Sequence, residues 1–165
     1  MTISEDIKRM IQEQERAKGR PTIVCLCGST RFSEAYHKAN LTETIAGKIV
    51  LSIGIDTKSD SDLLLSGELT EQDKIHLDTL HLRKIELADE VLFLNVGGYL
   101  GHSSLTEHLY ASMIGKTIRY LEKPEPSNRY YVEASNRLTE LKKLLGLADN
   151  QGITLVNRCA WFPEQ

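Results

Sequence analysis

The chain has 165 residues, a length that fits one domain with its own hydrophobic core. An apolar fraction of 41% and a charged fraction of 26% are ordinary for a globular protein. A net charge of −3 without a long basic run excludes the usual nucleic-acid groove, and no apolar run is long enough to span a bilayer.

Residues 4–18 read as a polar helix, capped by Ser4, ended by Gly19 and blocked by Pro21. The segment up to Arg20 is charged throughout and lacks the apolar region of a secretory leader, so a cytoplasmic protein is expected. TIVCLCG is a short run rich in β-branched residues and closed by Gly28, the pattern of a strand buried on both faces. Residues 31–46 return to helical spacing, and Gly47 ends them. KIVLSIGI is a second strand. Residues 55–70 read as a long polar loop, of the kind that is often functional. Its Asp56, Asp60 and Asp62 lack calcium-loop spacing and read as solvated acids. A long helix follows from Thr70 to Ala88, then a third buried strand, EVLFLNV. Residues 104–115 are helical, TIRYLE is a fourth strand, and residues 127–145 form a last helix. The tail ITLVNRCAWF is a fifth strand or an arm that packs on a partner. The alternation predicts a flavodoxin-like α/β fold, a parallel sheet of four to five strands with helices on both faces. We read residues 1–165 as one domain: an N-terminal helix over 1–19, a core over 20–122, and a C-terminal helix and tail over 126–165.

Cys25 and Cys27 alternate along the first strand, and Cys159 lies far away. An odd count without CxxC spacing argues against a disulfide framework and against zinc. Reduced, buried thiols are the expectation, with no metal and no cofactor.

In parallel sheets of this kind ligands bind outside the carboxyl ends of the strands. Two stretches fall there, CGSTRF and NVGGYLGHSS. In the first, Gly28 permits close approach, Ser29 and Thr30 offer hydroxyls, and Arg31 offers a forked cation, a set suited to phosphate or carboxylate. A plain strand-to-helix turn with a hydroxyl cap explains the same residues. Neither a P-loop nor a dinucleotide fingerprint is present. In the second, Gly97, Gly98 and Gly101 imply unusual dihedrals or close approach to a ligand.

Ser104 and Glu107 match a helix capping box, with Ser104 as N-cap. Yet Glu107 shares a face with Ala111 and Ile114, which points it inward. In a first helical turn it would feel the positive end of the helix dipole, which favours the ionised carboxylate. His81 shares a stripe with Asp78, Ile85 and Ala88. It is either a histidine packed on Ile85 or a catalytic group oriented by Asp78. Asp89 sits at the hand-over to the third strand, where a turn role is its default.

Four stretches in order, CGSTRF, ADEVLFLNVGG, SSLTEHLYA and GKTIRYLE, resemble the nucleoside 2-deoxyribosyltransferase superfamily, which includes nucleotide N-glycoside hydrolases. The similarity covers roughly residues 22–122, and it is greatest to small bacterial proteins carrying the block LHLRKIELADEVLFLNVGGY. The resemblance implies a flavodoxin-like fold, a homo-oligomer whose partner chain often completes the site, and a catalytic glutamate at Glu107. It places the loop that lines the nucleoside or its 5′-phosphate on Gly28, Ser29, Thr30 and Arg31, and the small hydroxyl residue on Ser103 or Ser104. The chain departs from it twice. Cys25 and Cys27 stand where a tyrosine is frequent, and His81 where an aspartate is frequent.

The expectation is therefore cleavage or transfer at the N-glycosidic bond of a nucleoside or its 5′-monophosphate. Glu107 would be the nucleophile, His81 or Asp89 the proton donor, and Gly98 would line the ligand with the residues above. Partners would be the small molecule and further copies of the chain, with no nucleic-acid polymer and no membrane. The alternative is a sensor that binds a nucleotide in the same pocket without turning it over. A third reading is an interaction protein that uses the C-terminal helix and the tail with Trp161.

Overall fold

A computed structural model of the chain describes residue 7 and residues 19–54, 60–124 and 130–147. Apart from residue 7, the expected helix over 4–18 lies outside the described residues, as do Asp56, Cys159, the tail with Trp161 and the expected fifth strand.

The strands are β1 (Ile23–Cys27), β2 (Ile49–Leu51), β3 (Glu90–Phe93) and β4 (Thr117–Tyr120). They form one sheet in the order β2-β1-β3-β4, all parallel. The helices are α1 (Ser33–Ile45), α2 (Asp60–Ser66), α3 (Glu71–Leu87), α4 (His102–Met113) and α5 (Tyr131–Leu144). This is the flavodoxin-like α/β arrangement. The chain leaves β1 towards one edge and β3 towards the other, so a crevice opens between the carboxyl ends of these central strands.

Alternation sorts the side chains of β1 and β3 onto two faces. Val24, Leu26, Leu92 and Leu94 pack with Tyr36 and Ala39 of α1. Cys25, Cys27, Val91 and Phe93 pack with Leu82 and Ile85 of α3, Leu105 and Leu109 of α4, and Leu138 and Leu141 of α5. The α1 face also carries charge. Glu43, whose side chain is 8% exposed, pairs with Lys48 at 2.8 Å and with Arg119 at 2.7 Å. Glu90 accepts from the same two cations at 2.5 and 2.9 Å.

The helices depart from the sequence reading most in three places. The loop expected over 55–70 contains α2, which is anchored by Leu63, buried in the core. A short apolar run inside an acidic stretch supplies that anchor. The helix expected over 104–115 begins two residues earlier, with Gly101 as its N-cap. The Gly101 carbonyl accepts from the Leu105 amide at 2.8 Å, and no side chain caps the end. The capping box of Ser104 and Glu107 therefore does not form, and Glu107 lies in the second turn. Third, the last helix begins at Tyr131, with residues 125–129 outside the described part. Thr70, expected as the first residue of α3, is instead its N-cap, in a reciprocal box with Asp73.

No helix among the described residues is long and apolar enough to cross a membrane.

Candidate active site

A cavity of about 720 Å³ opens at the carboxyl ends of β1 and β3. Its walls are the loop from Gly28 to Arg31, the inner face of α3, and the first two turns of α4.

The first wall depends on glycine. Gly28 has φ 149°, and a β carbon there would sit 3.1 Å from the Leu94 carbonyl oxygen. Only glycine lets the end of β1 cross the end of β3 so closely. The Tyr36 hydroxyl donates to the Gly28 carbonyl at 2.9 Å and holds the loop on α1. Arg31 is exposed at the rim. Its Nε donates to Ser29 Oγ at 3.0 Å and its guanidinium lies 4.7 Å from the centre of the Tyr99 ring. Cation–π contact of this kind orients the fork. Tyr99 reaches that place because Gly97 and Gly98, at φ 64° and 76°, turn the chain after β3. Its ring covers Gly101, where a β carbon would lie 2.6 Å from the Tyr99 hydroxyl.

The floor is built by alternation on β1 and by helical period on α3 and α4. Cys25 and Cys27 are two residues apart and so face α3 together. His81 projects from α3 onto them: its Nε2 is 3.3 Å from Cys27 Sγ and 4.0 Å from Cys25 Sγ. The same Nε2 is 3.8 Å from Glu107 Oε1. Glu107 Oε2 is buried with no hydrogen-bond partner among the described residues. The inward direction expected from the stripe of Glu107, Ala111 and Ile114 holds, with Ala111 fully buried.

These groups perturb one another. Burial pushes the Glu107 carboxyl up, His81 offsets part of that, and the result is about 7. Burial thus opposes the ionised form that the helix dipole was expected to favour, and the helix starts earlier than expected, which sets Glu107 farther from its end. Burial pulls the His81 ring down, but the charge of Glu107 and the hydrogen bond with Cys25 outweigh it, leaving about 8. The two thiols titrate as a pair. Their first proton leaves below the ordinary thiol range, since the neighbouring S–H and His81 stabilise one thiolate. Burial and that first charge hold the second proton well above it.

Of the residues singled out in the sequence, Gly28, Ser29, Thr30, Arg31, His81, Ser103, Ser104 and Glu107 all line the cavity. Gly98 does not: it shapes the turn that presents Tyr99. Asp89 is not brought there either. It sits at the amino end of β3 and accepts from Arg20 at 2.6 and 2.7 Å and from the Ile23 amide at 2.8 Å. Those hydrogen bonds hold its carboxyl down at about 2, which leaves no proton to donate near neutral pH. Asp78 lines the cavity but does not orient His81. It pairs with Lys74 at 2.5 Å and with Arg137 of α5 at 2.9 Å. Sequence reasoning missed Tyr99, Lys74 and Lys84 as lining residues. The helical period that selected His81 could have found Lys74 and Lys84, which stand seven residues before it and three after it on α3.

Comparison of the chain with protein-family models, with curated proteins and with solved structures finds no match.

Proposed function

We propose that the chain cleaves the N-glycosidic bond of a nucleoside or nucleoside 5′-monophosphate. One observation carries the reading: Glu107, half-buried with its Oε2 atom fully so, shares a strand-end cavity with the anion-suited loop Gly28–Ser29–Thr30–Arg31. In the proposed reaction a Glu107 oxygen bonds to the anomeric carbon as the carbon–nitrogen bond to the base breaks. The electron pair of that bond leaves with the base nitrogen, which takes a proton from His81 Nε2. Water then attacks the anomeric carbon, returns a proton to His81 Nε2 and breaks the bond to Glu107, which leaves as the free carboxylate, as in retaining glycosidases. A second base in place of water makes the reaction a transfer. Ser29, Thr30 and Arg31 hold the 5′ end of the sugar, and Lys74 and Lys84 add positive charge to the far wall. The resemblance noted in the sequence points to the same chemistry.

The test is incubation of the full chain with a panel of nucleosides and their 5′-monophosphates, with free base scored by chromatography. Release by the unmutated chain and its loss in Glu107→Gln are expected. A sensor reading is favoured by one feature, the thiols of Cys25 and Cys27 beneath His81. Tight binding of a monophosphate with no free base would select it over cleavage.

A further inference from the structure

The floor of the cavity holds two thiols, Cys25 and Cys27, that the proposed glycosidic chemistry does not use, and both sit against the His81 that it does use. Cys25 Sγ, Cys27 Sγ and His81 Nε2 are buried and lie within 4.8 Å of one another. We propose that these three side chains form a site for a borderline-soft divalent cation, with zinc as the reference ion, and that Glu107 stands at its fourth position.

The geometry supports this. In a tetrahedral zinc site, metal–sulfur distances of about 2.3 Å and metal–nitrogen distances of about 2.0 Å put neighbouring donor atoms roughly 3.5 Å apart. Here the edges that meet at His81 Nε2 measure 3.3 Å to Cys27, 4.0 Å to Cys25 and 3.8 Å to Glu107 Oε1. A histidine that packed only as an apolar ring would have no reason to aim one nitrogen at two sulfurs and a carboxylate. The Glu107 carboxylate points into the same space with Oε2 lacking a partner among the described residues, and a bound cation would offset the cost of burying its charge. Thiolate and imidazole donors select zinc-like ions over magnesium or calcium. Binding releases the two thiol protons and forms two metal–sulfur bonds, with no change of oxidation state. The ion has a route in, because His81 and Glu107 both line the open cavity.

With the ion bound, His81 and Glu107 are engaged, so metal binding and base cleavage are alternative states of one floor. The two proposals fail separately. A cobalt spectrum needs no nucleoside, and base release is scored on chelator-treated protein.

The experiment titrates the reduced, chelator-treated full chain with Co²⁺. A near-ultraviolet sulfur-to-cobalt charge-transfer band saturating at one ion per chain, and bleached by Zn²⁺, is expected. Cys25→Ser and Cys27→Ser should each lower the apparent affinity by more than the roughly 10–100-fold typical of outer-sphere changes. Cys159→Ser should leave it unchanged. A chain without the band overturns the proposal whatever the variants do, even if a variant fails to fold. So does a band that survives in both folded Cys25→Ser and Cys27→Ser, or one that depends on Cys159 alone.

Discussion

Glu107 Oε1 on α4 lies 3.8 Å from His81 Nε2 on α3, across the floor of the cavity. The pair joins two helices that share no sequence motif. In the proposed reaction this pair supplies both the attacking carboxylate and the imidazole that protonates the leaving base.

Glu107→Gln keeps the shape and removes the charge. Base release should fall by orders of magnitude, while stability changes by about 1 kcal/mol or less, because the replaced carboxylate has one oxygen without a partner among the described residues. Chromatography of free base, alongside a chemical denaturation curve, checks both halves. Undiminished release in the folded variant ends the nucleophile assignment.

Arg31→Ala tests the proposed binding of a 5′-phosphate by the loop wall. The guanidinium is stacked on Tyr99 and exposed at the rim, so its loss should spare the fold. A lost charged hydrogen bond is worth about 1.5–3 kcal/mol, which is roughly a 10–100-fold rise in KM. The rise should appear with the 5′-monophosphate and not with the matching nucleoside. Equal rises with both would remove Arg31 from phosphate recognition.

Gly101→Ala reaches the same wall indirectly. Gly101 has an ordinary φ of −77°, so an alanine is not strained by its backbone. Its β carbon would lie 2.6 Å from the Tyr99 hydroxyl, and the ring must swing away. Arg31 then loses its platform. The expected result is a KM rise in the direction of Arg31→Ala but smaller, with kcat unchanged. A double variant no worse than Arg31→Ala would show that Gly101 acts through Tyr99 and Arg31.

Glu43→Gln breaks the charge cluster on the α1 face. Burial works against this carboxylate, but Arg119 and Lys48 hold its pKa below the ordinary 4.5. A carboxylate depressed in the fold stabilises it above its unfolded pKa and loses that effect as pH falls through the folded value. The variant should lose about 1–2 kcal/mol at neutral pH, the lower end for a charged bond because Arg119 is partly exposed. The gap from the unmutated chain should close as pH falls below 4.5. Denaturation curves at neutral and acid pH read this directly, and a gap independent of pH would assign the loss to packing.

Local pattern determined much of the chain. The β-branched run at 23–27, the switch between two periodicities, and the glycines that close strands and helices dictate an alternating parallel sheet. With that topology, the ligand end of the fold and its loops at Gly28 and Gly97 follow, because only the carboxyl ends of central strands form a crevice. The inward face of Glu107 is readable too, since helical period alone sets it beside Ala111.

Contacts distant in sequence decided the rest. Gly101, not Ser104, became the cap of α4, which moved Glu107 out of reach of the helix end. Asp78 found Arg137 on another helix and left His81 to the thiols. The meeting of Cys25, Cys27, His81 and Glu107 draws on one strand and two helices, so no spacing rule contains it. Sequence periodicity fixes which way a side chain points from its own element. Only the packing of elements fixes what it meets there, and burial at that meeting point sets its charge.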